Sequence, residues 1–458
     1  EQSQSKKFTN CVFEGCICGS LIEQNDREIT YENCQFKSNK VRSNGLCISI
    51  QPSQTSTIKN CEFESNSAEG SGNDAFNGGA IYISGSESES LSDAEIEISN
   101  CTFTNNQATK GQSIYSANSD TRIIIKDNTT FINNQNKYEV ILHSSNLEIH
   151  DIEFSCPQPL LFEIESIEGI EFSNVISRNS PLLIIPQENS YALDSITFKN
   201  CKSNSSVITS DTNSFHISNS NITFDTADSA SSCAAIKLNK LGNNEIISSQ
   251  FINTYSSGAI SIRQKGNSLT NDILKITDCT FCANAGAKTV CFSILVPHEI
   301  VFERNTIKNI TNTKYSGIIS LRFTHQMTFD SCNFIDNSMT NNDCGGFGLW
   351  LCYEDRLPSP NNGYKEKIKL TFNDCKWIRN YASKPNGGGG AQIGTGTLSN
   401  SEVEFSGCYF EQNKAMNGGA ISLQTVQPAL IFNCTFVNNE AINGLGGAIF
   451  VDPNHSGR

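Results

Sequence analysis

Apolar and polar residues alternate along this chain in short bursts, and three bursts recur in a fixed order. The first is Ile-x-Ile, as in Ile96-Glu97-Ile98. The second is Cys-x-Phe, as in Cys101-Thr102-Phe103, and the third is Ala-Ile-x-Ile, as in Ala80-Ile81-Tyr82-Ile83. Each alternates with period two, which is the mark of a strand with one face buried. No window carries a helical period. The bursts are separated by Asn and by Gly pairs. The clearest copy is Asn433-Cys434-Thr435-Phe436-Val437-Asn438-Asn439, followed by Gly446-Gly447-Ala448-Ile449. Three short strands per repeat, joined by Asn and Gly turns, predict one coil of a parallel β-helix. Each coil would stack on the next at about 4.8 Å.

Aligned on the Cys position, the repeats run through Cys11, Cys34, Cys61, Cys101, Thr129, Ile152, Ile170, Cys201, Ile222, Ser249, Cys279, Asn305, Cys332, Cys375, Cys408 and Cys434. This predicts an all-β parallel β-helix (solenoid) of about sixteen coils, three short strands per coil, with residues 1–458 as a single domain. Cys and Phe two apart point into the same interior and stack with their counterparts in neighbouring coils. Asn66, Asn106, Asn134, Asn337, Asn380 and Asn413 fall where the coil turns. There Asn suits the left-handed conformation, and its amide can bond to the turns above and below. The Gly pairs allow positive φ and close approach of coils. Insertions near 67–77, 84–94, 353–367 and 381–388 read as variable loops on this scaffold, where binding is commonly placed. The chain opens inside a repeat and stops after a complete Gly-Gly-Ala-Ile burst, so a segment of something longer is expected, or a unit whose ends meet other units.

Charge narrows the partners. The 458 residues carry a net charge of -14. That argues against nucleic acid and against an anionic membrane surface. The most apolar run, Pro181–Pro186, is too short to cross a bilayer as a helix. No signal peptide opens the sequence, so for an exported form the leader is expected to have been removed or to lie outside this sequence.

The paired motifs Phe-x-x-Asn and Gly-Gly-Ala-Ile resemble the repeat of the polymorphic outer membrane proteins, both the chlamydial type and the similar surface proteins of protists such as trichomonads. The best copies are Phe63–Asn66 with Gly78–Ile81, Phe410–Asn413 with Gly418–Ile421, and Phe436–Asn439 with Gly446–Ile449. The resemblance implies a right-handed β-helix displayed at the cell surface or outside the cell, with an adhesive role. The regular Cys and the Asn/Ser/Ile-rich composition are closer to the eukaryotic relatives, and no C-terminal barrel sequence is present.

Little in the sequence points to catalysis. Ten cysteines, Cys11, Cys34, Cys61, Cys101, Cys201, Cys279, Cys332, Cys375, Cys408 and Cys434, share the repeat register and read as a structural ladder of small core fillers. Cysteines outside that register are better candidates for disulfides, Cys18 with Cys47 and Cys344 with Cys352. Cys279-x-x-Cys282 has no second ligand pair to make a zinc site, and no cofactor is called for. Of the Asn-x-Ser/Thr triplets, Asn204, Asn309 and Asn454 are the glycan candidates. Asn100, Asn128, Asn221 and Asn433 stand just before the second strand, where burial would block them. The acids Asp151, Glu153, Glu163, Glu165, Glu168 and Glu171 alternate with Ile and Phe, as outward strand positions do.

The leading expectation is therefore a non-enzymatic extracellular or cell-surface adhesin or structural rod. It would meet a host-cell or matrix protein or a glycan through loops and lateral faces. The alternatives are a polysaccharide-active or carbohydrate-binding β-helix and a filament subunit associating end to end.

Overall fold

A computed structural model describes residues 5–19, 21–23, 28–42, 47–51, 55–68, 76–84, 95–117, 121–133, 138–143, 147–162, 166–178, 181–185, 191–203, 206–212, 214–223, 234–240, 242–252, 259–263, 273–282, 285–286, 292–295, 299–312, 319–322, 326–339, 347–351, 369–383, 388–395, 402–424 and 428–452. The fold is an all-β, right-handed parallel β-helix. Its backbone contacts divide into two compact units. The first is Glu1–Ile185 with Tyr191–Ile208, and the second is Pro186–Ser190 with Thr209–Arg458.

In the first unit, the Ile-x-Ile strands stack coil on coil from Lys6–Thr9 through Glu28–Glu32, Thr55–Lys59 and Glu95–Ser99 to Leu147–His150. The Cys-x-Phe strands form a second sheet, from Val12–Glu14 to Lys202–Ser203, and the Ala-Ile-x-Ile strands form a third. A fourth, two-residue strand follows the Asn turn in early coils, as at Lys40–Val41 and Ser67–Ala68. The expected three strands per coil therefore become four in these coils. Register is strict: Phe36, Phe63 and Phe103 are paired partners, and so are Ile58 and Ile98. The consequence is stacked rings. Phe13, Phe36, Phe63, Phe103, Phe131 and Phe154 follow one another with centroids 4.8 or 4.9 Å apart. Such pairs contribute roughly 0.5–1.5 kcal/mol each beyond the area they bury.

The repeat changes phase inside this unit. An extra strand, Ser166–Glu168, precedes Glu171–Ser173, and Glu171–Ser173 pairs with the Ile-x-Ile strand Leu147–His150. Phe172 therefore lies beside Ile149, although Ile170-Glu171-Phe172 has the form of a Cys-x-Phe burst. Pairing of Glu153 with Ile176 makes Val175, rather than Ile170, the successor of Ile152 at the Cys position.

The second unit repeats the plan, and its later coils again add the two-residue fourth strand, from Ala285–Gly286 to Glu440–Ala441. Its Ile-x-Ile strands run from Phe215–Ser218 to Ala429–Phe432 and its Cys-x-Phe strands from Asn221–Thr223 to Thr435–Val437. Ile222 pairs with Phe251, so it occupies the Phe position and Ser220 holds the Cys position. The interior again stacks rings, as in Phe334, Trp377, Phe410 and Phe436. A Cβ on Gly79 would stand 1.9 Å from the Gln112 carbonyl oxygen of the next coil, so no larger residue fits there. Gly78 adds a φ of +73° to a similar clash.

Candidate functional site

Three layers of side chains recur around each coil: two hydrogen-bonded columns at the corners and an outward face. The Cys position lies inside the first corner. Cys101 is fully buried, and its Sγ donates to the carbonyls of Ser99 (3.3 Å) and Ile58 (3.4 Å) while accepting the Cys61 N–H at 3.4 Å. Thr129, one coil on, takes the same part. Its Oγ1 donates to the Lys126 carbonyl at 2.7 Å and accepts the Cys101 N–H at 3.3 Å. In the second unit Ser249 Oγ accepts the Ser220 N–H, Cys279 Sγ accepts the Ser249 N–H, and Asn305 Oδ1 accepts the Cys279 N–H. The position is therefore more than a filled space, as the small-filler reading had it. In these coils it takes a short side chain that accepts a corner N–H from the coil before, which fits the Cys, Ser, Thr and Asn found there, while Ile152 and Val175 only fill the space.

Among the described residues every cysteine is a free thiol. Cys34, Cys61, Cys101, Cys201, Cys279, Cys332, Cys375 and Cys408 are buried, while Cys11 and Cys434 are half-buried. Burial pushes the Cys201 and Cys279 thiols up to about 12. Cys18 and Cys47 stand as separate thiols in this structure. Cys47 is buried against the Asn39 side chain, with Cys18 and Cys16 as neighbouring thiols, and burial holds it well above the usual thiol range. Cys344 and Cys352 lie outside the described residues.

Cys101→Ser keeps the donor and acceptor and is expected to change stability by no more than about 1 kcal/mol, whereas Cys101→Val orphans the Cys61 N–H and costs roughly 1–3 kcal/mol more. Urea unfolding of both variants checks the difference.

The second corner follows Phe, and here the two roles expected of one Asn fall to two residues. The left-handed residue is Ser38, Ser65 or Asn105 in the first unit and Asp336, Arg379 or Gln412 in the second. The next residue is the buried Asn. Asn39, Asn66 and Asn106 form an amide column, each Nδ2 donating to the following Oδ1 at 2.9 Å. Asn133 continues it by donating to the Asn106 carbonyl, while Asn134 lies outside the described residues. Asn337, Asn380, Asn413 and Asn439 form the matching column in the second unit.

The first corner also has an outer residue, and its exposure reverses the expectation from sequence. Asn100, Asn128 and Asn433 have φ near +50 to +60° and are exposed, not buried. Asn10, Asn33, Asn60 and Asn100 link by side-chain hydrogen bonds of 2.8–3.2 Å along this edge. Asn309 is exposed and left-handed too, at the corner after a Cys-x-Phe-type strand. Asn221 is half-buried, and Asn204 and Asn454 lie outside the described residues.

The outward faces are mostly charged and matched across coils. Arg122 bridges Glu95 and Glu148 of the neighbouring coils. Arg178 grips both oxygens of Glu153. Arg304 and Arg379 make two 2.7 Å bonds each to Asp278 and Asp336. Their partners hold the Glu148, Glu153 and Asp278 carboxyls below the usual carboxylate range. Of the acid run singled out from sequence, Asp151 accepts a 2.8 Å bond from Asn174, Glu171 is exposed, and Glu163 and Glu165 lie outside the described residues, as do the loops 353–367 and most of the other three. Among the described residues no group of three or more His, Cys, Asp or Glu converges as a metal site.

One outward face departs from this pattern. On the Ala-Ile-x-Ile sheet of the first unit, the outward positions Tyr82 and Tyr115 are register partners with nearly parallel rings 5.9 Å apart. Tyr115 Oη lies 3.1 Å from His143 Nε2, and Ile141 and Leu161 continue the row in the next two coils. Tyr82, Tyr138 and Ala117 pack on this cluster and remain half-exposed at its margin. The sequence did hold the signal, an aromatic between two inward residues in Gly-Gly-Ala-Ile-Tyr and again in Gly111-Gln112-Ser113-Ile114-Tyr115.

Behind the same strand lies an unusual interior group. Glu139 is fully buried and accepts from Ser113 Oγ, beside the Asn133 amide and the Cys156 thiol. Its Oε2 has no well-formed hydrogen bond, and burial raises the carboxyl to about 7.

Residues 1–155 match a family model described as a right handed beta helix region. No curated protein sequence matches the chain. The class these findings define is the parallel β-helix solenoid.

Proposed function

We propose that this chain is an extracellular or cell-surface β-helix scaffold that acts by adhesion, of the kind seen in the polymorphic outer membrane protein family it resembles. The observation that carries the reading is the aromatic row of the first unit. Among the described residues, many outward side chains are matched in ion pairs across coils. The half-exposed Tyr82 and Tyr138 instead offer apolar area with polar tips, Tyr82 being stacked on the buried Tyr115 ring, whose hydroxyl meets His143. That combination suits a pyranose ring or an aromatic-rich segment of a matrix protein. Three outward carboxylates are not free for acid–base work. A glycoside-cleaving centre needs a free acid and base facing one bond, whereas Glu153, Asp278 and Asp336 here are each tied to an arginine.

The test is binding of the purified chain to a glycan panel and to matrix-coated surfaces, with Tyr82→Ala as the probe. Removing the half-exposed ring is expected to weaken binding roughly 5–10-fold, equivalent to about 1 kcal/mol, with the circular dichroism unchanged. Equal binding by Tyr82→Ala would remove this face from the function. Absence of binding to every surface would sink the adhesive reading.

A further inference from the structure

We propose that the exposed left-handed corners at Asn100, Asn128, Asn309 and Asn433 are attachment sites for asparagine-linked glycans. The proposal rests on the extracellular reading, since it needs passage through a secretory compartment, and it adds the sites. In each case the triplet is divided by the chain's own geometry. The Asn stands outside at a corner with positive φ. The middle residue, Cys101, Thr129, Ile310 or Cys434, turns inward. The third residue is Thr102, Thr130, Thr311 or Thr435, each at least half-exposed on the strand that follows. Acceptor amide and hydroxyl thus share the outer surface, which is what alternation from a corner dictates. These corners are also where a bulky group costs the fold least, because the interior is filled from the other side.

In the transfer, Nδ2 forms a bond to the anomeric carbon of a lipid-diphosphate-linked oligosaccharide. The carbon–oxygen bond to the diphosphate breaks, the diphosphate leaves with its electron pair, and Nδ2 gives up one of its two hydrogens. The hydrogen that remains lets Asn100 go on donating to Asn60 Oδ1, now at 2.8 Å, so the corner ladder survives modification. Below Asn433 the same corner of the preceding coil is Gly407, which has no side chain to obstruct a sugar.

Asn100 and Asn128 lie on adjacent coils, because Thr102 and Thr130 are register partners. At a coil spacing of about 4.8 Å two branched saccharides cannot leave side by side. At most one of the two is therefore occupied in any one molecule.

The experiment is export of the full chain from eukaryotic cells behind an added leader. It is followed by peptide N-glycosidase treatment in heavy-oxygen water, which marks each formerly modified Asn as a heavy Asp. Marks are expected at Asn309, at Asn433 and at most one of Asn100 and Asn128 per chain. Thr102→Ala, which removes the acceptor triplet without touching the corner, is expected to raise occupancy of Asn128. A folded, exported chain unmarked at all four corners overturns the proposal, and a chain marked at both Asn100 and Asn128 overturns the exclusion. If export fails, translation into microsomes gives the same readout. Recovery of the native chain from inside the cell would sink the extracellular reading while leaving the measured acceptor sites standing.

Discussion

The first unit is expected to lose stability as pH rises from about 5 to 8, and Glu139→Gln is expected to abolish that loss. The folded carboxyl titrates at about 7 against an ordinary 4.5, so the folded state holds its proton more tightly than the unfolded chain. That stabilising linkage is fully present below the unfolded value and is lost as pH rises through the folded one. A shift of this size corresponds to about 3 kcal/mol across the window. The cause is burial: the carboxyl sits where Ala80 and Ser113 stand in the coils before it, with Ser113 Oγ as donor and the Cys156 thiol close by. Surface carboxyls such as Glu148 and Glu153 act in the opposite sense. Their pKa values are depressed by arginine, so their contribution is present above the unfolded value and lost in acid. Comparing Glu139→Gln with the parent chain separates the two effects. Hydrogen exchange of peptides spanning Tyr138–Leu142, at pH 5 and pH 8, is the measurement. Equal protection at both values in the parent chain would show that Glu139 does not control this unit.

Asn380→Ala is expected to destabilise the second unit by roughly 2–4 kcal/mol, far more than Asn33→Ala in the first unit at about 1 kcal/mol or less. Both residues belong to asparagine columns, and the difference is burial. Asn380 is buried; its Nδ2 donates to the Phe334 carbonyl at 2.9 Å, and its Oδ1 accepts both the N–H and the Nδ2 of Asn337. Alanine removes the buried acceptor of the Asn337 N–H and amide and one donor to the Phe334 carbonyl. Asn33 is exposed, so water replaces its ladder bonds, and the remaining cost is that of alanine at a φ of 53°. Urea unfolding followed by tryptophan fluorescence suits the first variant, because Trp377 is fully buried in the adjacent ring stack. Circular dichroism suits the second.

Much of this architecture was legible because the interior is built from identical layers. Phe63, Phe103 and Phe131 announce their stack by recurring at the same offset from Cys or Thr, and parallel register carries that offset directly into contact. The Gly-Gly-Ala-Ile burst announces its corner in the same way. The phase change did not show. Ile170-Glu171-Phe172 and Ile152-Glu153-Phe154 have the same pattern, and only pairing with Leu147–His150 places the first of them on a different sheet. The surface was harder still. An Asn before Cys and an Asn after Phe look alike in sequence, yet Asn100 faces solvent and Asn106 is sealed inside. Which side of a left-handed residue the chain turns towards is decided by the coil beneath it.

Period-two alternation, the spacing of Cys, Phe and Asn, and the Gly pairs by themselves determined a parallel β-helix with stacked interior columns, because identical coils can repeat only in register. Tertiary structure alone decided three things: which strand begins each sheet after the inserted Ser166–Glu168, which corner asparagines are buried, and that Glu139 points inward while Tyr82 and Tyr115 point out. Each depends on the coil above and the coil below, and hydrogen bonds and burial between coils have no counterpart in the local order of residues.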